Sequence, residues 1–209
     1  GVYMPCQVDV YTKYTEEDAD RKAKVKQLAE RLDIELSTLD LTTSFTTFVH
    51  RVNMANGAKT GLPGEISASA REHFKQRMRT AALYAMKEDM DYLVIGKLDK
   101  TDLTLGNFTK YGESAVDLYP LGEYYKTEVV RVAEVMDVTQ YCAPTPESVQ
   151  ATDEALYDLE AGNRVSDDRI ELKKELEKRV VFSEHKRKSP PILFREAMLL
   201  IDGKYRRWN

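Results

Sequence analysis

The sequence predicts an α/β protein built on a parallel β-sheet. Gly1–Cys6 and Glu35–Asp40 are predicted to be strands, and the amphipathic segment Glu16–Leu32 between them is predicted to be a helix. A strand, a helix and a strand at this spacing favour a right-handed parallel unit. Asp91–Gly96 predicts a third strand, because its residues DYLVIG are apolar enough for burial on both faces of such a sheet.

Helices are predicted to fill most of the remaining chain. Leu41–Ser67 is the exception, because its Asn-Gly, Thr-Gly and Pro-Gly pairs are turn signals. We expect a surface loop there, with at most a short helix at Thr46–Val52. Two prolines exclude a helix at Cys142–Pro146, which is predicted as a second loop. The helices are predicted at Ser67–Asp89, Thr127–Met136, Ala151–Glu160 and Asp167–Phe182.

The composition is that of a globular domain, with 42% hydrophobic and 32% charged residues in a chain of 209. That length is enough for one large domain with a sizeable core. No apolar run approaches the ~20 residues of a membrane-spanning helix, and the net charge of −4 gives no electrostatic basis for nucleic-acid binding. Cys6 and Cys142 provide neither a disulfide framework nor metal-ligand spacing, which favours a reducing cytoplasm.

A long polar segment, Gly96–Lys126, follows the third predicted strand. A loop of this length inside a compact domain tends to be functional, and the carboxyl ends of parallel strands are where such sheets bind ligands. Lys110 and Lys126 are suited to neutralise phosphates, while Asp102 and Asp117 are suited to hold Mg²⁺ or a ligand hydroxyl. The same residues also fit ordinary roles as solvated lysines or helix-capping carboxylates, and the residue pattern leaves that choice open.

Three other candidates are also open on the residue pattern alone. Arg77 and Arg79 lie two positions apart on a predicted helix, so only one of them easily faces a common site. The basic stretch His185-Lys186-Arg187 fits either a ligand site or a plain basic surface. Thr145 lies in the second loop, where its hydroxyl either anchors the loop or reaches a nucleotide.

Several separated motifs resemble those of ammonia-dependent NAD synthetases, in the same order and spacing. The first is Phe108-Thr109-Lys110-Tyr111-Gly112, followed by Asp117, Pro120 and Lys126-Thr127-Glu128-Val129. The others are Arg77-x-Arg79 with Tyr84, Ala143-Pro144-Thr145, and Glu184-His185-Lys186-Arg187 with Pro190-Pro191. The resemblance extends from Gly1 to about Pro191, and several ordered motifs are far more specific than one short pattern.

This resemblance implies both a fold and a reaction. The N-type ATP pyrophosphatases, to which NAD synthetases belong, have a doubly wound parallel sheet with helices on both faces (adenine nucleotide alpha hydrolase-like). NAD synthetases join ammonia to the nicotinate carboxylate of deamido-NAD, with ATP and Mg²⁺. The carboxylate attacks the α-phosphorus of ATP to give an acyl-adenylate and pyrophosphate, and ammonia then displaces AMP. Such an enzyme must bring two anions together, so cations are needed to offset their repulsion.

The resemblance also implies roles for individual residues. Contacts with ATP are implied for Lys126, Thr145 and Lys97, of which Lys97 replaces a threonine of the family. Asp102 stands in place of a magnesium-binding glutamate that is one methylene longer. Contacts with deamido-NAD are implied for Arg77, Lys110, Asp117, His185 and Lys186.

The sequence departs from the family in its phosphate loop. The Ser-Gly-Gly-x-Asp-Ser loop, which binds the pyrophosphate of ATP and lies upstream of the strand that Gly1–Cys6 resembles, is absent. The strand before that loop is the central one of the family's sheet, so its loss leaves neighbouring strands unpaired and apolar faces uncovered. We therefore expect residues 1–209 to form a single domain truncated at its N-terminus, with residues 185–209 as a basic C-terminal tail.

Three functional hypotheses follow. The first is a ligase that uses free ammonia, because no glutaminase domain is present in these 209 residues. The second is a non-catalytic relative that binds nucleotide or forms a dimer, and the third is another N-type pyrophosphatase, which the match from Lys110 to Lys126 disfavours. The family builds its dinucleotide site across a two-fold interface. That implies a homodimer, with the helix Ser67–Asp89 as a candidate interface element.

Overall fold

The computed structural model describes residues 1–6, 16–60, 65–141, 146, 148–163 and 169–187, and only the backbone of residues 16–18, 58–60 and 185. Two short strands, β1 (Val2–Tyr3) and β2 (Ser37–Thr38), pair in parallel, with Val2 opposite Ser37. Helix α1 (Glu16–Arg31) lies between them in the chain. The predicted strand, helix and strand, and their parallel pairing, are therefore confirmed.

The region predicted as a surface loop with a short helix at Thr46–Val52 contains a longer helix of 19 residues, α2 (Thr42–Thr60), and residues 61–64 of that region lie outside the described residues. The Asp40 carboxylate accepts a 2.8 Å hydrogen bond from the Thr42 N–H and so caps the first turn. Phe45 packs on Phe74 of the following helix, with ring centroids 5.8 Å apart. The loop prediction was wrong because this buried aromatic contact outweighs the roughly 1 kcal/mol that a glycine costs inside a helix.

The packing of α2 depends most on Phe45. Its side chain is 0% exposed, whereas Phe48, whose ring centroid lies 4.1 Å from that of the same Phe74, is 49% exposed. We expect Phe45→Ala to lower the free energy of unfolding by about 3–5 kcal/mol, because it removes a buried ring and leaves a cavity. Phe48→Ala is the matched control and should cost clearly less. Urea unfolding of both variants measures the difference, and equal losses would contradict the placement of Phe45 in the core.

Helix α3 (Ala68–Met90) agrees with the predicted helix Ser67–Asp89 to within one residue at each end. Ser67 is its N-cap, and its hydroxyl oxygen accepts a 3.1 Å hydrogen bond from the Ala70 N–H. Asp91 ends the helix in the left-handed conformation, with φ of 53°. The chain therefore turns sharply out of α3 into the third predicted strand.

That third strand, Asp91–Gly96, is not a regular strand in the structure. In the described ranges it makes one parallel bridge, between Ile95 and Leu118, and among its apolar side chains only that of Val94 is buried. The side chains that are 64–68% exposed are those of Tyr92, Leu93 and Ile95. The prediction of burial on both faces was therefore wrong, because the segment bonds to a neighbouring segment on one side only.

The opposite side of this segment borders an apolar cavity of about 590 Å³, which we call the strand cleft. Leu93 and Ile95 line it on one side, and Val2 and Met4 line it on the other. Along the segment that contains β1, every second carbonyl accepts a hydrogen bond from the β2 side. The backbone groups of the intervening residues of that segment therefore turn toward the cleft. Two strand edges thus face each other, with no strand of the described chain between them.

The second half of the described chain is helical. Its elements are α4 (Lys100–Leu105), α5 (Lys126–Val135), a 3₁₀ turn at Thr139–Tyr141, α6 (Ser148–Ala161) and α7 (Ile170–Arg187). They enclose a core formed by Leu105, Tyr125, Ala155, Leu156 and Leu176. Three of the helices were predicted, whereas α4 lies inside the segment predicted as a loop. None of the helices that the structure describes is long and apolar enough to cross a membrane.

Candidate functional site

Helix α4 places two carboxylates just beyond the third predicted strand. Asp99 is its N-cap, and Asp99 Oδ1 accepts a 2.9 Å hydrogen bond from the Asp102 N–H. Asp102 lies in the first turn, where the partial positive charge of a helix N-terminus favours a carboxylate. An acidic N-cap with a second acidic residue three positions later is a recognised helix-start pattern, so the sequence contained a signal for α4.

Lys126, the first residue of α5, joins both carboxylates. Its ammonium donates hydrogen bonds to Asp99 and, at 3.1 Å, to Asp102. The Asp99 side chain is 6% exposed and the Asp102 side chain 20%, so water only partly screens these charges. We call Asp99, Asp102 and Lys126 the lysine–carboxylate cluster. It brings together Lys126 and Asp102, two predicted site residues that lie 24 positions apart in the chain.

The contacts within the cluster determine its charge. Burial raises the pKa of Asp102, and the adjacent Lys126 ammonium offsets that effect only in part. Burial acts to lower the pKa of Lys126, but its hydrogen bonds to Asp99 and Asp102 outweigh burial and raise that pKa. Lys126 is therefore a cation at neutral pH. The cluster offers two carboxyl groups for one ammonium, which leaves oxygen atoms suited to a hard cation such as Mg²⁺.

Buried hydrogen bonds fix the start of α5, where Lys126 lies. Thr101 Oγ1 accepts a 3.0 Å hydrogen bond from the Lys126 N–H and donates a 2.6 Å hydrogen bond to Asp153 Oδ1. The other Asp153 oxygen accepts a 2.9 Å hydrogen bond from the Thr127 N–H. Thr101 and Asp153 are each 4% exposed. These two residues could not be predicted from the sequence, because their partners lie in other helices and no local pattern shows such contacts.

Arg77 and Lys110 form a second group of predicted site residues. The Arg77 guanidinium donates a 3.1 Å hydrogen bond to the Lys110 carbonyl, and the Lys110 ammonium lies 5.2 Å from the ring centre of Tyr111. Lys97 pairs with Glu113 at 3.0 Å, and the Lys97 side chain is 78% exposed. Its charge also acts on the lysine–carboxylate cluster.

Asp117 is held by groups of the protein itself. Its Oδ1 accepts a 3.2 Å hydrogen bond from the Tyr84 hydroxyl. Its Oδ2 accepts 2.8 Å hydrogen bonds from the Lys87 ammonium and the Val94 N–H. The Lys87 ammonium, followed by the Val94 N–H, holds the pKa of Asp117 below its usual value. Asp117 thus joins α3 to the third predicted strand.

The lowered pKa of Asp117 predicts that its contribution to stability depends on pH. The ordinary value is 3.8 and the folded value is lower, so the contribution is fully present above 3.8 and is lost as the pH falls through the folded pKa. We expect Asp117→Asn to destabilise the protein at neutral pH, and its difference from the wild type to shrink as the pH falls below 3.8.

Urea unfolding at a series of pH values measures that difference. Lys87→Met is the companion variant, because it removes the largest cause of the lowered pKa. It should move the acid-induced loss of stability to higher pH. A difference between Asp117→Asn and the wild type that stays constant across the acid range would contradict the prediction.

The remaining predicted site residues lie apart from these groups or outside the described residues. Arg79 donates a 3.3 Å hydrogen bond to a carbonyl of the β1 segment, so only Arg77 of the two arginines reaches the polar segment. Lys186 donates hydrogen bonds of 2.7 and 3.0 Å to two carbonyls just past the end of α4. Thr145 and the side chain of His185 fall outside the described residues.

A cavity of about 710 Å³ lies between α5 and α6 and adjoins the lysine–carboxylate cluster through Thr127 and Asp153. Within the described ranges, no three His, Cys, Asp or Glu side chains are grouped to hold a metal ion. Asp102 nevertheless fits Mg²⁺, which binds through one or two carboxylates and takes its other ligands from water and substrate phosphates. The donor set of the cluster is therefore compatible with a metal held jointly with a nucleotide.

A parallel α/β unit that gathers lysines and carboxylates beyond a strand end has the architecture of a nucleotide-binding protein. Comparison with known proteins identifies the family. Residues 1–155 match the NAD synthase family. The chain belongs to that family, and the lysine–carboxylate cluster and the second group both lie inside the matched residues.

Individual relatives agree with this assignment. The chain is 32% identical over 163 residues to the NH(3)-dependent NAD(+) synthetase of Saccharolobus solfataricus, a match that covers 65% of this chain and 58% of the relative. It is 30% identical over 198 residues to that of Syntrophomonas wolfei, covering 90% and 74%. The chain spans 56–64% of the length of three such relatives, those of S. solfataricus, Mycoplasmopsis pulmonis and Sulfolobus acidocaldarius.

Solved structures confirm the fold. An NH3-dependent NAD synthetase from Campylobacter jejuni has a TM-score of 0.67 at 24% identity, covering 92% of this chain and 76% of that chain. An NMN synthetase from Francisella tularensis also has a TM-score of 0.67, at 21% identity, covering 92% and 77%. The predicted fold class, the doubly wound α/β fold of this family, is therefore confirmed.

Proposed function

We propose that this chain is part of a ligase that amidates deamido-NAD to NAD with ATP and ammonia. The observation that carries the proposal is the lysine–carboxylate cluster, in which the partly buried Lys126 ammonium donates to two shielded carboxylates inside the family's matched residues. The relatives named NH(3)-dependent NAD(+) synthetases support the same reaction.

The proposed chemistry assigns a task to each member of the cluster. Lys126 binds the phosphates of ATP and offsets the repulsion between them and the nicotinate carboxylate, which must approach the α-phosphorus. Asp102 holds Mg²⁺, which supplies charge neutralisation at the phosphates when bound. Asp99 keeps the Lys126 ammonium in place as the hydrogen-bonded partner of both α4 and α5. Lys97 and Thr145 complete the proposed contacts with ATP.

The second group is proposed to bind deamido-NAD. The Arg77 guanidinium donates to the Lys110 carbonyl, which keeps the two residues adjacent at the edge of α3. Asp117 accepts hydrogen bonds from α3 and from the third predicted strand, and these bonds orient the polar segment relative to α3. His185 and Lys186 are the other residues that the family resemblance implies for the dinucleotide.

The test is an assay of the complete polypeptide with ATP, Mg²⁺, deamido-NAD and ammonium. We expect NAD and AMP to appear in equal amounts, and omission of ammonium to abolish NAD. Nicotinate mononucleotide in place of deamido-NAD tests whether the adenylate half of the dinucleotide is required. Absence of both NAD and AMP in the complete assay would overturn the proposal in favour of a nucleotide-binding relative.

We also propose that residues 1–209 form one domain that is completed by a further extended segment in the strand cleft. The support is the pair of strand edges that face each other across the cleft, one of which carries the exposed side chains of Leu93 and Ile95. In the complete polypeptide, the amides of Leu93 and Ile95 should exchange with deuterium more slowly than in residues 1–209 alone. Equal exchange would contradict the proposal.

A homodimer and a cytoplasmic location are the remaining proposals. The family resemblance supports the dimer, with α3 as the candidate interface helix. Light scattering of the complete polypeptide should give twice the monomer mass, and a monomer at micromolar concentration would contradict it. The unpaired thiol of Cys6 agrees with a reducing compartment, and fractionation of cells tests the location directly.

A further inference from the structure

The C-terminal end of α4 is bound by a cation from α7. Arg187 Nη1 donates hydrogen bonds to the carbonyls of Leu103 and Thr104, at 3.3 and 2.9 Å. The same guanidinium donates to Ser183 Oγ at 2.8 Å and to the Val180 carbonyl at 2.6 Å, which fixes it on its own helix. The last carbonyls of a helix lack intrahelical partners and carry partial negative charge, so a cation stabilises them.

Lys186 binds the chain directly after α4. Its ammonium donates to the carbonyls of Gly106 and Phe108, at 2.7 and 3.0 Å, and lies 5.6 Å from the centre of the Phe108 ring. An ammonium has three donors, and two of them are used by these carbonyls. Together, Arg187 and Lys186 bind four carbonyls at one end of a six-residue helix.

Helix α7 also packs directly against this end of α4. Gly106 caps α4 with φ of 69°, and a Cβ added there would lie 2.2 Å from Ser183 Cβ. Leu105 and Leu176 belong to the same buried core, at 5% and 2% exposure. The C-terminal end of α4 is therefore fixed to α7 by backbone contact, by core packing and by two cations.

The other end of α4 holds the lysine–carboxylate cluster. A helix of six residues is roughly 9 Å long, and it moves as one body, so the position of one end sets the position of the other. We propose that Arg187 is a positioning residue for the cluster. By binding the C-terminal carbonyls of α4, it sets where Asp99 and Asp102 stand relative to Lys126.

This inference rests on the proposed function in one respect, namely that the cluster binds ATP with Mg²⁺. A positioning role for Arg187 and a direct contact with deamido-NAD make opposite predictions, because the cluster serves ATP whereas a direct contact serves the dinucleotide. Separate binding measurements for the two substrates therefore distinguish the two roles.

The experiment uses the complete polypeptide with the variant Arg187→Ala. We expect the dissociation constant for ATP with Mg²⁺, measured by calorimetry, to rise about tenfold, since hydrogen bonds to a charged group are lost. The constant for deamido-NAD should stay within about twofold of the wild type. In steady-state assays the KM for ATP should rise in the same variant. Arg187→Lys keeps the charge but not the fork of donors, and should give an intermediate value.

The matched control is Lys178→Ala, which removes an exposed cation from the same helix and should leave both constants unchanged. Hydrogen exchange provides a readout that does not depend on activity. Amides of Lys100–Leu105 should exchange faster in Arg187→Ala than in the control, while those of α6 should not change. Loss of deamido-NAD affinity alone, or faster exchange spread evenly over all helices, would overturn the inference. A wild type that binds no ATP would instead contradict the proposed function, and exchange would still test the positioning role.

Discussion

Lys126→Met is expected to reduce NAD formation in the complete polypeptide by at least about a hundredfold, the effect of removing one preorganised charge from a reaction centre. In the proposed reaction the nicotinate carboxylate must approach a triphosphate. Lys126, at the start of α5, is the cation that lies beside the two carboxylates of α4. Steady-state assays with saturating ATP measure the loss. Lys126→Arg keeps the charge and should retain more activity than Lys126→Met.

The same substitution should also destabilise the protein. It leaves Asp99 and Asp102 shielded from water without their ammonium, and removal of one partner from a fully buried pair costs about 3–5 kcal/mol. We expect about half that loss, because the Lys126 side chain is 31% exposed. Lys97→Met, at a side chain that is 78% exposed, is the control and should change the free energy of unfolding very little.

A double variant separates the two effects. Adding Asp99→Asn to Lys126→Met removes one of the stranded charges, so it should recover part of the lost stability without recovering activity. Urea unfolding and the NAD assay on the same preparations give both readings. Recovery of activity in the double variant would show that Lys126 acts on the fold alone and not on the substrates.

Long periodic helices could be predicted from the sequence because the information lies within each segment. The helix found at Glu16–Arg31 was predicted at Glu16–Leu32, and the helix at Ala68–Met90 has a serine N-cap that marks its start. Helix α2 could not be predicted in this way, since Phe45 stabilises it through Phe74, a contact between different helices. Its turn-forming residues gave a local signal that tertiary packing overrides.

The candidate site shows the same division. Lys126 and Asp102 could be singled out because they lie in a long polar segment after an apolar strand. Asp153 could not, since its role depends on hydrogen bonds to Thr101 and Thr127 from helices distant in the chain. The exposure of Leu93 and Ile95 could not be predicted from the local sequence either. An apolar strand has the same residue pattern whether or not a neighbouring strand covers it.

If Asp102 has the proposed metal-binding role, Asp102→Asn is expected to raise the Mg²⁺ concentration needed for half-maximal NAD formation by at least about tenfold, because loss of even an outer-shell partner of a metal ligand costs about 10–100-fold in affinity. The amide keeps the size of the side chain but loses the charge that attracts a hard cation. Asp102→Glu should stay within about threefold of the wild type, because the longer carboxylate is the residue type that the family resemblance implies at this position. Titration of activity with Mg²⁺ at fixed ATP measures both variants.

Asp99→Asn is the matched control for this prediction, because Asp99 and Asp102 bind the same Lys126 ammonium. The Asp99 carboxylate is nearly buried and already caps α4, whereas Asp102 is the more exposed of the two, at 20%. Mg²⁺ therefore reaches Asp102 more easily, and Asp99→Asn should affect stability more than the Mg²⁺ requirement. If Asp99→Asn shifts the Mg²⁺ titration and Asp102→Asn does not, the metal-binding role belongs to the helix cap, and the assignment made from Asp102 is wrong.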